Sequence, residues 1–325
     1  MLSAFKTWKK LLNLNMKPPF SIPCCSEVKT PHRTIYDFMA SAAGADINID
    51  LNTVQSFGEE WQHFHHFTDA DLQKIGDLYF DVMPPEALNP KNTIAIDFGC
   101  GSGRFMKYLQ GRIKHVVGID PSDAVFAADH LLGKTDKVSL CRTSIGNIPF
   151  SDNTFDFGYS LGVLHHIPDT RRALHQCIQK IKPGGFFLLY LYYNLDNRGS
   201  LYRAIYRCSN LLRRLVSRLP QSAKQVVCAS LALVLYMPFV FASRLLHSLG
   251  LPKSVREKIP LHFYEDQSFY IIRNDALDRF GTPLEQRFSR KEIEQMMLDA
   301  GLSKLIFSEN APYWHVVGQK NDNIA

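Results

Sequence analysis

The chain has 325 residues, of which 46% are hydrophobic and 21% charged, so it can bury a full core, and an intrinsically disordered protein is excluded. The net charge is +6, but the charges are unevenly distributed. Residues 197–256 hold ten basic and no acidic residues, so the rest of the chain has a net charge of −4. Seven scattered cysteines, none spaced as C-x-x-C, exclude a disulfide framework and a thiolate zinc site and favour a reducing, cytoplasmic setting.

Residues 1–90 are expected to form an N-terminal helical and aromatic cap region. The opening "MLSAFKTWKKLLNL" lacks the uninterrupted apolar core of a secretory signal, since lysines break it. The tract "SFGEEWQHFHHF" contains His63, His65 and His66, which invites a metal interpretation. No cysteine accompanies these histidines, and Phe and Trp are mixed with them. We therefore interpret the tract as an aromatic covering layer and predict no metal.

Strand and helix patterns alternate through the middle of the chain. Apolar runs typical of buried strands are "TIAI", "HVVGID", "VSLCRTS", "FDFGYSLGVL" and "FFLLYLYY". The alternation stops after Asn194 and resumes with a helix capped by Ser289 and ended by Gly301, followed by two strands. This order predicts an α/β fold with a doubly wound, mainly parallel seven-stranded sheet, built from residues 91–194 and 263–325.

Residues 195–262 are predicted to be a basic, apolar, α-helical insertion before the last helix and strands. The run "VVCASLALVLYMPFVFA" has no charge and is at the lower length limit for a membrane span. Topology excludes a single span, because the segments on either side should complete one sheet. At helical spacing, one arc carries four arginines opposite an apolar face. These are Arg203, Arg207, Arg214 and Arg218.

This pattern favours an interfacial or re-entrant hairpin at an anionic membrane surface. The alternatives are a surface helix with its apolar face against the core, or a lid over a hydrophobic acceptor. A nucleic-acid partner is disfavoured, since only Tyr202 and Tyr206 could stack on bases.

The segment "AIDFGCGSGRF", 95–105, places three glycines directly after a buried strand, where backbone N–H groups can approach a ligand at a helix N-terminus. A dinucleotide fingerprint reads G-x-G-x-x-G, but its third position here is Arg104, and Gly103 comes one residue early. Asp97 suits a ligand that carries an ammonium group better than a pyrophosphate. The dinucleotide interpretation is thereby weakened.

Four motifs occur in the order "AIDFGCGSGRF", "VVGIDPS", "IGNIPFSDNTFDFGYSLGVLHHIPD" and "KPGGFFLLY". In this order and spacing they resemble the cofactor motifs of class I S-adenosylmethionine-dependent methyltransferases, of the ubiquinone-pathway-like subgroup that includes glycan- and lipid-pathway members. The resemblance covers roughly residues 93–193 and the terminal helix and strands. It implies a Rossmann-like methyltransferase fold and S-adenosyl-L-methionine as the cofactor.

The resemblance also implies roles for individual residues. The glycines would line the methionine and sugar portion of the cofactor, Asp97 would orient its amino group, and Asp120 would bind its ribose hydroxyls. Ser144 stands where the family usually has an Asp that binds the adenine amine, and it is a weaker partner without the charge. Asp120 with Pro121 could instead cap the next helix. The expected cofactor-binding residues are Asp97, Gly99, Cys100, Gly101, Ser102, Gly103, Asp120, Pro121, Ser144, Ile145 and Leu161.

Methyl transfer is an in-line displacement, so the protein chiefly holds the reactants and removes a proton from a hydroxyl acceptor. His165 and His166 follow the fourth strand, where the resemblance places the reaction, and an imidazole can take that proton near neutral pH. We favour His166 slightly; either ring could instead pack or cap a helix. The resemblance places Trp61 in the roof of the active site, and Asp278 would either face the acceptor or pin its loop.

These observations predict a methyltransferase (EC 2.1.1.-) that modifies a small or lipid-linked acceptor, at oxygen, in the cytoplasm at the inner membrane face. Two alternatives stay open. One is a membrane-associated protein that binds S-adenosylmethionine or S-adenosylhomocysteine without catalysis. This alternative stays open because Ser144 stands where the family usually has an Asp. The other is an NAD-dependent oxidoreductase, which Arg104 argues against.

Overall fold

A computed structural model describes residues 20–39, 48–63, 67–196 and 199–322; within them the side chains of 59–63, 200–205 and 221 are not described. The chain divides into two compact units. The sheet unit comprises residues 1–196 and 284–325, and the helical unit comprises residues 197–283.

The strands of the sheet unit are β1 (Ser26–Lys29), β2 (Thr34–Asp37), β3 (Ile94–Phe98), β4 (His115–Asp120), β5 (Val138–Arg142), β6 (Phe155–Leu161), β7 (Ile181–Tyr190), β8 (Leu302–Phe307) and β9 (Val316–Lys320). They form one sheet in the order β1-β2-β5-β4-β3-β6-β7-β9-β8. All pairings from β2 to β7 are parallel, and the β1–β2, β7–β9 and β8–β9 pairings are antiparallel. The expected fold class is confirmed, although the sheet has nine strands rather than seven.

The two additional strands, β1 and β2, lie in the region 1–90 that was expected to be helical and aromatic, so that expectation was wrong for this stretch. Each strand has only four residues, too few for a periodic pattern to stand out. Their position depends on tertiary contacts instead. Tyr36 and Asp37 pair with the end of β5, and the Asp37 carboxylate lies 3.3 Å from Arg142.

The helices are α1 (Leu51–His63), α2 (Asp69–Tyr79), α3 (Arg104–Leu109), α4 (Ala124–Leu132), α5 (Thr170–Gln179), α6 (Ser200–Val216), α7 (Gln221–Leu231), α8 (Met237–Ser248), α9 (Lys253–Arg256), α10 (Phe269–Gly281) and α11 (Arg290–Asp299). Short 3-10 turns occur at Pro85–Ala87, Ile145–Asn147, Leu164–His166 and His262–Tyr264, and a π-helical turn, Ala232–Tyr236, joins α7 to α8. The predicted cap of α11 is confirmed: the Ser289 hydroxyl accepts from the Glu292 N–H, and the Glu292 carboxylate accepts from the Ser289 N–H.

Apolar layers cover both faces of the sheet. One layer includes Ile96, Phe98 and Phe187, and the other includes Met106 and Leu188. Parallel strands covered on both sides need apolar residues throughout, which is why β3 reads "IAIDF" with every residue buried. Its single acid is therefore buried at the carboxyl end of the strand.

The helical unit is longer than the expected insertion of 195–262, because α10 packs against α6 and α7. Two arginines fasten it internally. Arg213 donates from Nη1 to the carbonyl oxygen of Thr282 at 2.8 Å, and Arg279 donates to the Ser209 hydroxyl at 3.0 Å. A sequence pattern around 262 marks no boundary, since the helix that follows belongs with those before it.

Candidate functional site

The glycine loop connects β3 to α3 at the carboxyl end of the sheet. The Gly99 N–H donates to the carbonyl oxygen of Ile119 at 2.8 Å, which ties the loop to β4. Gly99 has φ +85°, and a Cβ there would lie 2.4 Å from Cγ1 of Val163. Gly103 has φ +79°, and its Cβ would lie 3.0 Å from Cβ of Ala128. Both positions therefore require glycine, for conformation and for space.

Two carboxylates flank this loop. Asp97 is 2% exposed, and its Oδ2 has no partner within hydrogen-bond distance among the described residues. Burial raises the pKa of Asp97 well above the usual range, and the side chain of Tyr159, its neighbour on β6, opposes that shift. Asp120, which ends β4, accepts from the Gly101 N–H at 3.0 Å and from the N–H and hydroxyl of Ser122 at 2.9 and 2.6 Å. Burial nevertheless raises the pKa of Asp120. The sequence analysis did not identify Ser122, although "DPSD" is the spacing of an Asx turn.

Two buried hydroxyls complete a set of unsatisfied groups. Ser102 and Ser144 are 1% and 3% exposed, and neither Oγ has a hydrogen-bond partner within the described part of the chain. A buried polar group without a partner costs about 1–3 kcal/mol, so such groups usually have an explanation in a bound ligand or water. Asp97, Ser102 and Ser144 all belong to the predicted cofactor-binding set.

The other predicted cofactor residues occupy the same end of the sheet. Leu161 ends β6, which pairs directly with β3, and Ile145 opens a 3-10 turn after β5. Pro121 follows β4, and Cys100 is buried in the glycine loop, where burial raises the pKa of its thiol well above the usual range. Tyr159, which the sequence analysis missed, is the fully buried register partner of Asp97 on β6.

The two histidines lie in the 3-10 turn that follows β6. His166 Nδ1 is 2.6 Å from the carbonyl oxygen of Leu284. A carbonyl can only accept, so Nδ1 carries the proton and Nε2 is the basic nitrogen of the neutral ring. Phe57 of α1 packs edge-on against this ring, with centroids 4.8 Å apart. The turn also reaches the glycine loop, because Val163 contacts Gly99.

His165 has a different environment. Its ring is fully buried and stacks on Tyr192, with centroids 3.9 Å apart, and neither ring nitrogen has a hydrogen-bond partner among the described residues. Burial lowers the pKa of His165 well below its ordinary value, and the neighbouring His166 and Arg287 lower it further. The ring is therefore neutral at physiological pH and lies within the protein interior.

A five-residue strap, 284–288, crosses the histidine turn. The Gln286 N–H donates to the carbonyl oxygen of His165 at 3.0 Å, and its side-chain amide donates to the carbonyl oxygen of Ile167 at 2.7 Å. The Phe288 N–H donates to the carbonyl oxygen of Tyr192 at 2.9 Å. The strap thus holds the turn from Leu284 to Phe288. No local sequence signal indicated it.

The remaining predicted residues are placed less directly. Trp61 lies on α1, but its side chain is outside the described structure, as are the side chain of His63 and all of His65 and His66. Asp278 belongs to the helical unit, where its side-chain Oδ1 lies 3.3 Å from the Thr282 hydroxyl, a contact that suits the turn-pinning alternative.

A cavity of about 280 Å³ opens at the opposite end of the sheet. Thr93, Asp156, Lys182 and Phe186 contribute to its walls, at the amino ends of β3, β6 and β7. Ligands in open α/β sheets bind outside the carboxyl ends of the strands. This cavity is therefore separate from the candidate site.

Comparison with known proteins identifies a family that matches part of this chain. Residues 96–189 match the methyltransferase domain family. A ubiquinone biosynthesis O-methyltransferase of Hahella chejuensis is 30% identical over 145 residues, covering 42% of this chain and 59% of that protein. A tRNA U34 carboxymethyltransferase of Pseudoalteromonas atlantica is 28% identical over 192 residues, covering 57% of each chain. The chain thus spans less than two thirds of these relatives.

Among solved structures, human N-acetylserotonin methyltransferase in complex with SAM is 14% identical, with a TM-score of 0.46, covering 82% of this chain and 56% of that one. The unsatisfied groups of the site suit the expected cofactor, because S-adenosylmethionine offers an ammonium group to a carboxylate and adenine nitrogens to hydroxyls. The sheet order, the glycine loop and the family match over 96–189 all indicate the same kind of domain. The chain therefore carries a class I S-adenosylmethionine-dependent methyltransferase domain, and its cofactor is S-adenosylmethionine.

Proposed function

We propose that this protein transfers a methyl group to a hydroxyl oxygen of a small or lipid-linked acceptor, with His166 as the general base. The observation that carries the proposal is the contact of His166 Nδ1 with the Leu284 carbonyl oxygen at 2.6 Å. It leaves Nε2 as the nitrogen that can take a proton. His165 is a weaker candidate, because its ring is fully buried.

The cofactor assignments form the second part of the proposal. Asp97 Oδ2, buried without a partner among the described residues, would bind the ammonium group, and Asp120 would bind the ribose hydroxyls with the lone pairs that Gly101 and Ser122 leave unused. Ser144 and Ile145 would contact adenine. The main chain at Leu161 and at the glycine loop residues Gly99, Cys100, Gly101, Ser102 and Gly103 would line the rest, with Pro121 beside the ribose.

The protein itself has to supply little chemistry beyond removing one proton. S-adenosylmethionine supplies a methyl group on a positively charged sulfur, and the acceptor oxygen displaces that sulfur as the new C–O bond forms and the C–S bond breaks. His166 Nε2 takes the hydroxyl proton, and the Leu284 carbonyl stabilises the resulting imidazolium through Nδ1–H. The strap and Phe57 hold the ring in place.

The acceptor is proposed on narrower grounds. The name of the Hahella chejuensis relative contains O-methyltransferase, which supports oxygen as the methylated atom. The apolar, basic composition of 197–256 supports a lipid-linked acceptor at the cytoplasmic face of a membrane. In this proposal Trp61 is the residue assigned to the acceptor side.

Transfer of labelled methyl groups tests the proposal. The full chain is incubated with methyl-labelled S-adenosylmethionine and, separately, with a total lipid extract, a polar small-molecule extract and total tRNA from its source. We expect label in a lipid or small molecule, and mass spectrometry should find a methyl on oxygen. Label in tRNA would contradict the acceptor class. No label in any fraction, with S-adenosylhomocysteine still bound, would favour the non-catalytic alternative.

The variant His166→Asn tests the base. Asn retains a donor for the Leu284 carbonyl but has no basic nitrogen, so transfer should fall about 10²–10⁴-fold while the thermal shift caused by S-adenosylhomocysteine is unchanged. His175→Asn, at an exposed position on α5, is the matched control and should retain full transfer. Equal activity of the two variants would remove His166 from its role.

A further inference from the structure

The helical unit carries a long apolar helix that protein covers on one side only. α7, the π-helical turn and α8 run without a break from Ser222 to Ser248, 27 residues, and 28% of the most apolar part of this helix is buried. It is the one helix among the described residues long and apolar enough to cross a membrane by length and composition.

The two sides of this helix differ sharply. The buried side recurs at helical spacing and consists of Lys224, Cys228, Ala232, Tyr236, Met237, Val240 and Ser243. The opposite side exposes large apolar side chains to between 41% and 67% of their area. These are Val226, Leu233, Val234, Leu235, Phe239, Phe241 and Leu245, which we call the apolar face. So large an exposed apolar surface usually marks an interaction site.

Exposed arginines accompany exposed leucines on α6. Leu211 and Leu215 are 61% and 60% exposed. At about 100° per residue they lie beside Arg214 of α6, and Arg218 follows just after the end of the helix; both arginines are exposed. Leu215 is thus not covered by protein, which disfavours the alternative of a surface helix whose apolar face lies against the core. Because 197–256 contains no acidic residue, this charge complements an anionic surface.

We propose that the apolar face, together with Arg214 and Arg218, docks the protein on an anionic phospholipid bilayer, with the long helix lying in the plane of the interface. Apolar side chains beside arginines, with no intervening acid, match the acyl and phosphate layers of such a surface. The relevance of docking to turnover rests on the proposed function, because it brings a lipid-linked acceptor to the enzyme. Lipid binding itself does not depend on catalysis.

Contacts at both ends of the helix exclude a spanning arrangement. At one end, the Lys224 side chain is buried against Gly281 of α10. At the other end, the Ser243 hydroxyl donates to the Glu265 carboxylate at 2.6 Å, and Arg244 donates to the Glu265 carbonyl at 2.9 Å. Between these ends α10, whose sequence includes Arg273, Asp275 and Asp278, packs against α7 and the π-helical turn. A bilayer core could not accommodate these charged residues, so the helix lies on the surface.

Vesicle co-sedimentation tests the docking surface. The full chain is mixed with vesicles of phosphatidylcholine and phosphatidylglycerol at 3:1, or of phosphatidylcholine alone. We expect binding to the anionic vesicles that weakens with salt and is released by an alkaline carbonate wash. The double variant Val234→Gln, Phe241→Gln should bind at least about tenfold more weakly, because two exposed apolar side chains lose their burial in lipid. Arg214→Ala with Arg218→Ala should weaken binding about tenfold or more at low salt.

Leu298→Gln is the matched control, since Leu298 is a 46% exposed leucine on α11 of the sheet unit; it should bind like the wild type. Wild-type protein that sediments with neither vesicle would overturn the proposal, as would unchanged binding by the double variant. Protein resistant to carbonate would refute the in-plane arrangement. A lipid-free dimer that the double variant abolishes would assign the apolar face to a second copy of the chain. Because S-adenosylhomocysteine binding and methyl transfer to a soluble acceptor are measured without vesicles, loss of docking is distinguishable from loss of the proposed activity.

Discussion

The sheet unit and the helical unit differ in the kind of unsatisfied group that they concentrate, although the helical unit also buries two polar atoms without a partner among the described residues, Arg256 Nε and Asn274 Oδ1. In the sheet unit, Asp97, Ser102 and Ser144 hold buried polar atoms that have no partner among the described residues. In the helical unit, the buried Arg213 donates to backbone carbonyls, while Val234 and Phe241 expose apolar area. Unsatisfied polar atoms inside a fold indicate an enclosed polar ligand, and unsatisfied apolar surface outside indicates an external partner.

The largest effect is expected for Gly99→Ala, which tests whether the sheet unit binds an enclosed polar ligand at the glycine loop. An alanine Cβ would meet Val163 at 2.4 Å and displace the loop, so the thermal shift caused by S-adenosylhomocysteine, worth about 2.7 kcal/mol at a hundred times its Kd, should disappear. Gly111→Ala is the control: its φ is +86°, nearly the same, but a Cβ there meets nothing within 4 Å. Alanine at positive φ costs about 1–2 kcal/mol at both sites, so the difference isolates the contact.

Differential scanning fluorimetry with and without S-adenosylhomocysteine provides the measurement. Val163→Ala added to Gly99→Ala should restore part of the shift, because it removes the opposing methyl groups. If Gly99→Ala retained the full shift, the loop would not be the cofactor site, and the meaning of the buried polar atoms in the sheet unit would have to be reconsidered.

The second prediction concerns the pH dependence of stability in the sheet unit. Burial lowers the pKa of His115, on β4, to about 4, whereas an unfolded histidine titrates near 6.5. The unfolded chain therefore binds this proton first, so the stabilisation is complete above pH 6.5 and is lost as pH falls toward 4. Between pH 7 and 5 the loss from His115 should be about 2 kcal/mol.

Urea unfolding at both pH values, compared with His115→Gln, measures this contribution. Gln can still bond to the Ser139 hydroxyl, which lies 3.0 Å from His115 Nε2, so the variant should lose about 2 kcal/mol less than wild type between the two pH values. An identical pH dependence of both proteins would show that His115 is not the buried, neutral group inferred from its environment.

Sequence patterns predicted the sheet unit well where one local rule sufficed. The strand "IAIDF", the glycine loop and the Ser289 cap each follow from a few neighbouring residues, and the structure has all three. These features require no knowledge of the distant chain.

The features that sequence did not predict depend on contacts between distant segments. β2 pairs with residues more than a hundred positions later, and the strap reaches His166 from Leu284. The helical unit ends at 283 because α10 packs on α6 and α7, and no pattern near 262 shows this. Periodicity also left open whether lipid or protein covers the apolar side of α6, where Leu215 is 60% exposed, because an apolar stripe does not state what covers it.

The smallest effect is expected from two substitutions in one helix, which compare its buried side with its exposed side. Val226 and Val240 lie on the same long helix, 67% and 0% exposed, and each can be changed to alanine. Both changes gain the same helix propensity, so the difference reports packing alone. Val240→Ala should lower the free energy of unfolding by about 2 kcal/mol, and Val226→Ala should change it by less than about 0.5 kcal/mol in urea unfolding without lipid. A comparable loss at both positions would mean that protein covers the apolar face in solution. The covering protein segment would then have to move away before the apolar face, which includes Val226, could bind lipid.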